Sequence, residues 1–145
     1  MSEKQSDVTI VIEQISRYEA DADMKKTEAP KSNLIAFLQE LKNALQVSHW
    51  NTTSYAEHLA FDKILDDVTD ETDKFIESYQ GRYGRISIPK SIDSHRVTGE
   101  YIETCIEDLN DLEKFGIKKS DTDLANIRDE VTGTLNKLKY LLSLK

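Results

Sequence analysis

Four stretches of this chain repeat apolar residues every third or fourth position, and that period limits its fold more than any other feature. Leu34, Leu38, Leu41, Leu45 and Ser48, with Phe37 and Ala44 beside them, mark the first stretch. Phe61, Ile64, Leu65, Val68, Phe75 and Ile76 mark the second. The third runs through Val97, Tyr101, Cys105, Ile106, Leu109 and Leu112, and the fourth through Leu124, Ile127, Val131, Leu135, Leu138 and Leu142. Apolar residues at i, i+3, i+4 and i+7 form one face of an α-helix, and such a face must be buried against another element. With only 5 Gly and 2 Pro in 145 residues, tight β-turns are scarce and an all-β fold is excluded. The pattern predicts an all-α domain whose helices cover residues 32–50, 55–79, 94–115 and 120–144, packed as a four-helix bundle.

The breaks between the stretches are also legible. Ser54 precedes Glu57 by three residues, a capping-box spacing that opens the second helix, and Gly81 is expected to end it. Ser120 to Asp123 is a similar start for the fourth helix, and Gly116 is expected to stop the third. Residues 80–94 form the longest connection, as a crossover between parallel helices requires, and Arg85 to Ile88 within it could be extended. Residues 1–31 read as an extension ahead of the domain at 32–145. In that extension Val8 to Ile12 suits a short strand or the start of a helix continuing through Ile15, Tyr18 and Met24, and the helix is preferred.

Charge and cysteine content restrict function. The net charge is −8, and residues 1–31 carry five Lys or Arg against seven Asp or Glu, so DNA binding through the extension is not expected. Cys105 is the single cysteine and cannot form an intramolecular disulfide. It is expected to be a buried apolar thiol on the third helix. No secretory signal and no apolar run of membrane-spanning length are present, so a cytoplasmic location, in a bacterium or a phage-infected host, is expected. There is no Ser–His–Asp grouping, phosphate-binding Gly loop or zinc Cys cluster.

The second helix carries the informative polar pattern. His58 and Asp62 are four apart, Asp73 and Glu77 are four apart, and eleven residues separate Asp62 from Asp73. With His58 at zero, Asp62, Asp73 and Glu77 fall at roughly 40°, 60° and 100° around the helix, so all four share one stripe, which Asp66 joins at roughly 80°. This stripe borders the apolar face, where a carboxylate is costly unless something neutralises it. On the first helix His49 lies near Leu38 and Leu45 and is expected to point into the bundle, with Trp50 packing in the core beside it. Histidine with carboxylates suits iron, manganese or zinc. Asp62 and Asp73, however, are roughly 16 Å apart along the axis, too far to share an ion within one chain. Antiparallel packing of two copies of this helix removes the difficulty, because Asp73 and Glu77 of one chain then meet His58 and Asp62 of the other. Read alone, His49 or His58 is an ordinary core or capping histidine, Asp66, Asp67, Asp70 and Glu71 are a solvated face, and His95 is solvated.

The run His49-Trp50-Asn51, the spacing His58-x3-Asp62 and the spacing Asp73-x3-Glu77 resemble the signature of the Dps mini-ferritins, within the ferritin-like superfamily. The similarity spans about Ser32 to Leu144, in outline outside the site. The sequence departs from the family in a shorter His49-to-His58 interval, in Ser78 and Leu65, and in Gly116-Ile117-Lys118. The resemblance implies a ferritin-like bundle with a long crossover between the second and third helices. It also implies a mono-iron or di-iron site shared between subunits. His49, His58 and Asp62 would come from one chain and Asp73 and Glu77 from its partner, in a homo-oligomer that is a dimer at least and up to a dodecamer. The implied activity is Fe2+ oxidation by peroxide or oxygen, for iron storage and oxidative protection. The alternative is a non-catalytic ferritin-like helical interaction protein, of phage origin.

Overall fold

The structure, a computed structural model, describes residues 9–14 and 30–144. It is all-α, with no strand among the described residues. The main helices are α1 (Leu34–Asn51), α2 (Tyr55–Tyr83), α3 (Gly99–Asn110) and α4 (Thr122–Ser143), with a 3-10 turn at Leu112–Phe115. Residues 9–14 are helical and exposed, in keeping with the helix expected there; the rest of that expectation, with Ile15, Tyr18 and Met24, lies outside the described residues.

The starts are fixed by side-chain caps. Asn33 accepts from the N–H of Ala36 to open α1, Ser54 accepts from Glu57 N–H to open α2, and Thr98 accepts from Tyr101 N–H to open α3. Only half of the expected capping box forms at α2. Glu57 does not return to the Ser54 backbone; its carboxylate accepts from Thr52 Oγ1 at 2.6 Å, and that oxygen accepts from Ser54 N–H at 3.1 Å. At α4 the expectation fails: Asp121, not Ser120, precedes the helix, and its side chain makes no capping bond because it is committed elsewhere.

Two glycines act differently from the expectation. The second helix runs past Gly81 and ends at Gly84, whose φ of 89° is where a residue without a Cβ is required. The third helix breaks at Asn110, earlier than the apolar period suggests. Leu112 and Phe115 continue that period through the 3-10 turn, so they reach the core without an α-helix, and Gly116 at φ 77° closes the turn.

Hydrogen bonds give the helix directions. Residues 84–98 travel along α1: Asn33 Nδ2 donates to Ser87 O at 2.8 Å, Asp93 N–H to Glu40 Oε1 at 3.2 Å, and Val97 N–H to Ser48 Oγ at 3.0 Å. The connection therefore returns from the end of α2 to the level at which α2 began, and α3 runs parallel to α2. Between α2 and α4 the pairs Tyr83–Asp121, Arg82–Asp123, Lys74–Glu130 and Glu71–Thr134 show an antiparallel seam. Arg128 donates to Leu109 O and Lys139 to Glu103, which places α3 antiparallel to α4. Ser32 N–H donates to Lys114 O, and the Phe37 and Phe115 rings lie 5.4 Å apart, so α1 meets the end of α3.

The four stripes converge on one core. Leu38, Leu45, Ile64, Val68, Phe75, Leu109, Leu124, Val131, Leu135 and Leu138 are fully buried. Each such side chain contributes about 1.5–3 kcal/mol relative to an exposed one. The turn after α3 is anchored by Tyr79, whose hydroxyl donates to Phe115 O at 2.9 Å.

Candidate metal centre at the α1–α2 turn

His49 and His58 face each other across the α1–α2 turn, with ring centroids 4.0 Å apart and planes 24° from parallel. His49 Nδ1 is 3.0 Å from His58 O, and His58 Nδ1 is 3.2 Å from His49 O. A carbonyl oxygen only accepts, so each Nδ1 carries a proton and donates it. In the neutral imidazole this leaves the lone pair on Nε2, the nitrogen free to bind an ion. His49 O belongs to the last turn of α1 and lacks a helical donor, so the His58 ring also satisfies one of the orphan carbonyls of that helix.

Asp62, one turn along α2 from His58, places Oδ1 4.0 Å from His49 Nε2. His49 thus lies beside both His58 and Asp62, although the donor atoms of the three do not all fall within 4.8 Å of one another. The structure does not bring Asp73 or Glu77 there, because both lie farther along the unbroken α2. Both are exposed, on the outer side of the helix, as are His58, Asp62 and Asp66. Among the described residues Asp73 and Glu77 make no hydrogen bond or ion pair. The stripe is therefore more solvent-facing than its predicted position at the edge of the core. His49 is the exception, with its side chain 13% exposed, and it sits at the margin of the core rather than inside it. Trp50 is a correction: it is 71% exposed and packs in no core, and Tyr55 at 76% and Leu59 at 49% stand out with it.

Residues 49–142 match a family of unknown function, DUF5856. The chain belongs to this family. It is also similar to the "Uncharacterized 14.6 kDa protein in mobD-ri intergenic region" of Enterobacteria phage T4, at 34% identity over 98 residues, covering 68% of this chain and 76% of that protein. No solved structure is significantly similar to the chain. The DUF5856 match begins at His49, so it takes in His49, His58, Asp62, Asp73 and Glu77 together with α2, α3 and α4, and leaves out most of α1.

One group was missed by the sequence reading. Among the described residues of this DUF5856 chain, the single set of three metal-capable side chains whose donor atoms all lie within 4.8 Å of one another is Glu40, Asp93 and His95. His95 is not simply solvated. Its Nε2 is 3.6 Å from Glu40 Oε2, and its ring stacks on Tyr101 with centroids 5.0 Å apart. An open polar cleft of about 660 Å³ lies beside it, bordered by Ser48, Asn51, Glu57 and Arg96. No spacing motif reveals this set, because the crossover path, not a helical repeat, brings residues of α1 and the 90s together.

Cys105 is buried, and burial pushes its thiol up to about 11, so it is no nucleophile at neutral pH. No helix among the described residues is long and apolar enough to cross a membrane.

Proposed function

We propose that this protein is a Dps-like, ferritin-like iron protein that oxidises Fe2+ at a site completed by two subunits. The observation that carries the reading is the His49–His58 pair. Both rings are fixed through Nδ1, both Nε2 atoms are left for an ion, and a carboxylate stands at 4.0 Å from one of them. The donor set fits Fe2+, which takes imidazole and carboxylate together.

Three further observations support it. The second and third helices are parallel and joined by a crossover along α1, which is the connectivity a ferritin-like bundle requires. Asp73 and Glu77 are ionisable, exposed and without partners among the described residues, as ligands supplied to a neighbour must be. Trp50, Tyr55 and Leu59 add exposed apolar surface around the histidine end of the same face, where a second copy would bury it. With α2 helices antiparallel about a two-fold axis, Asp73 pairs with the level of Asp62 and Glu77 with the level of His58. Substrate Fe2+ binds between them. Two Fe2+ give two electrons to one peroxide, which with two protons leaves as two waters, so no hydroxyl radical is released.

A second reading uses the same face differently. The exposed Trp50, Tyr55 and Leu59 also suit a non-catalytic helical interaction protein, and the T4 relative places a protein of similar sequence in a phage. Fe2+ oxidation under peroxide, followed with molecular mass by light scattering, separates the two. The first reading expects saturable oxidation by a dimer or larger assembly, lost in both Asp73→Ala and Glu77→Ala. Equal oxidation in wild type and both variants, or a stable monomer, removes it.

A further inference from the structure

Glu40, Asp93 and His95 form a donor set independent of the proposed inter-subunit site. Glu40 lies on α1, and Asp93 and His95 lie on the crossover. The Asp93 N–H donates to Glu40 Oε1, which leaves Oε2 turned to His95, with Nε2 3.6 Å away. For metal–ligand bonds of about 2.0–2.1 Å in a tetrahedral site, adjacent ligand atoms stand roughly 3.3–3.4 Å apart. The Glu40–His95 pair is thus already near ligand spacing. Asp93 has an oxygen within 4.8 Å of both, a gap that a carboxylate torsion can close.

The charge balance points to a cation. Among the described residues neither Glu40 nor Asp93 is ion-paired with a Lys or Arg, although Asp67, Asp108, Asp121, Asp123, Glu103 and Glu130 are. Glu40 is three-quarters buried, with its side chain 25% exposed, and its carboxylate meets the Asp93 N–H and the His95 ring rather than a Lys or Arg. A neutral imidazole supplies a ligand but no charge to offset two carboxylates. The His95 ring is held in place by its stack on Tyr101, at 23° between planes. One imidazole and two carboxylates favour a first-row transition ion over Ca2+ or Mg2+, which take oxygen ligands.

We infer that Glu40, Asp93 and His95 bind one divalent first-row transition ion within a single chain and so fasten the crossover to the middle of α1. The ion keeps positions for water, since three protein ligands do not fill its shell.

Zn2+ alone is the probe, titrated calorimetrically into metal-stripped full-length protein. The His49→Ala/His58→Ala double variant serves as background, so that the other site cannot contribute. In that background one Zn2+ per chain binds and raises Tm, and amide exchange over residues 87–97 slows. His95→Gln and, separately, Asp93→Asn weaken Zn2+ by at least roughly tenfold and abolish the slowing, while the circular dichroism of the metal-free protein stays helical. Absence of Zn2+ binding in both the wild type and a background whose circular dichroism stays helical overturns the inference, as does binding that neither substitution changes. Because iron oxidation is not the readout, this result is independent of the proposed function.

Discussion

The two sides of α2 treat charge in opposite ways. Toward α4, several charged groups have internal partners, although Glu71 Oε2 is buried without one. Lys74 bonds Glu130 at 2.9 Å, Arg82 reaches Asp123 at 2.7 Å and Asp121 at 3.3 Å, and Glu71 accepts from Thr134 at 2.5 Å. Asp121, only 4% exposed, also accepts from Lys118 N–H and from the Tyr83 hydroxyl, and burial together with that bond pushes the phenol up to about 12. On the outer side, Asp66, Asp73 and Glu77 make no hydrogen bond or ion pair among the described residues. One helix therefore spends its acids on the fold along one edge and leaves them uncommitted along the other. Stability is expected to depend on the first edge, and recognition of ions or other molecules on the second.

The largest test of this division is at Asp121. Asp121→Ala leaves the Tyr83 hydroxyl and the Lys118 N–H without their acceptor and is expected to cost about 2–3 kcal/mol in urea unfolding. A cost below about 0.5 kcal/mol would break the comparison, because the committed edge would then hold nothing together. Glu71 gives a smaller effect that depends on pH. Burial raises its pKa above the usual carboxylate value, the Thr134 hydrogen bond opposes this, and the charges of Asp67 and Glu130 add to the rise. The fold thus prefers the protonated acid. Stability from this group is complete below the unfolded-state pKa and is lost as pH climbs through the raised one. Glu71→Gln is accordingly expected to raise Tm at pH 7 and to lose that advantage near pH 4, in parallel thermal melts. The smallest effect belongs to the outer edge: Asp73→Asn with Glu77→Gln should leave metal-free stability within about 0.5 kcal/mol. A larger loss would mean that these acids serve the fold after all.

Much of the architecture was legible because it rests on local physics. The apolar period located all four helices, and the cap at Ser54 was legible from its spacing to Glu57, whereas the caps at Asn33 and Thr98 were not read. The errors arose where tertiary context decides. Gly81 is a plausible stop, but nothing about it requires one; Gly84 is the residue whose backbone enters the left-handed region. Leu112 and Phe115 keep helical spacing across a break, so periodicity alone extended the third helix too far. At the site, the approach of His49 and His58 could be read from helix geometry, because nine residues and one turn separate them. Glu40, Asp93 and His95 could not, since their meeting depends on where a coil segment crosses a helix. The exposure of Trp50 was also hidden, because an aromatic at a helix end gives no local sign of whether a neighbour covers it.

The reciprocal bonds between the two histidine rings and each other's carbonyls have a further consequence. The rings act as a clasp for the hairpin, tying the tail of one helix to the head of the next whatever else they do. Replacing His58 removes a ligand and unlatches that clasp together, so a fall in iron chemistry after such a change does not by itself separate lost coordination from a loosened joint. By the same logic, a relative that had given up metals altogether could still keep both imidazoles for the joinery.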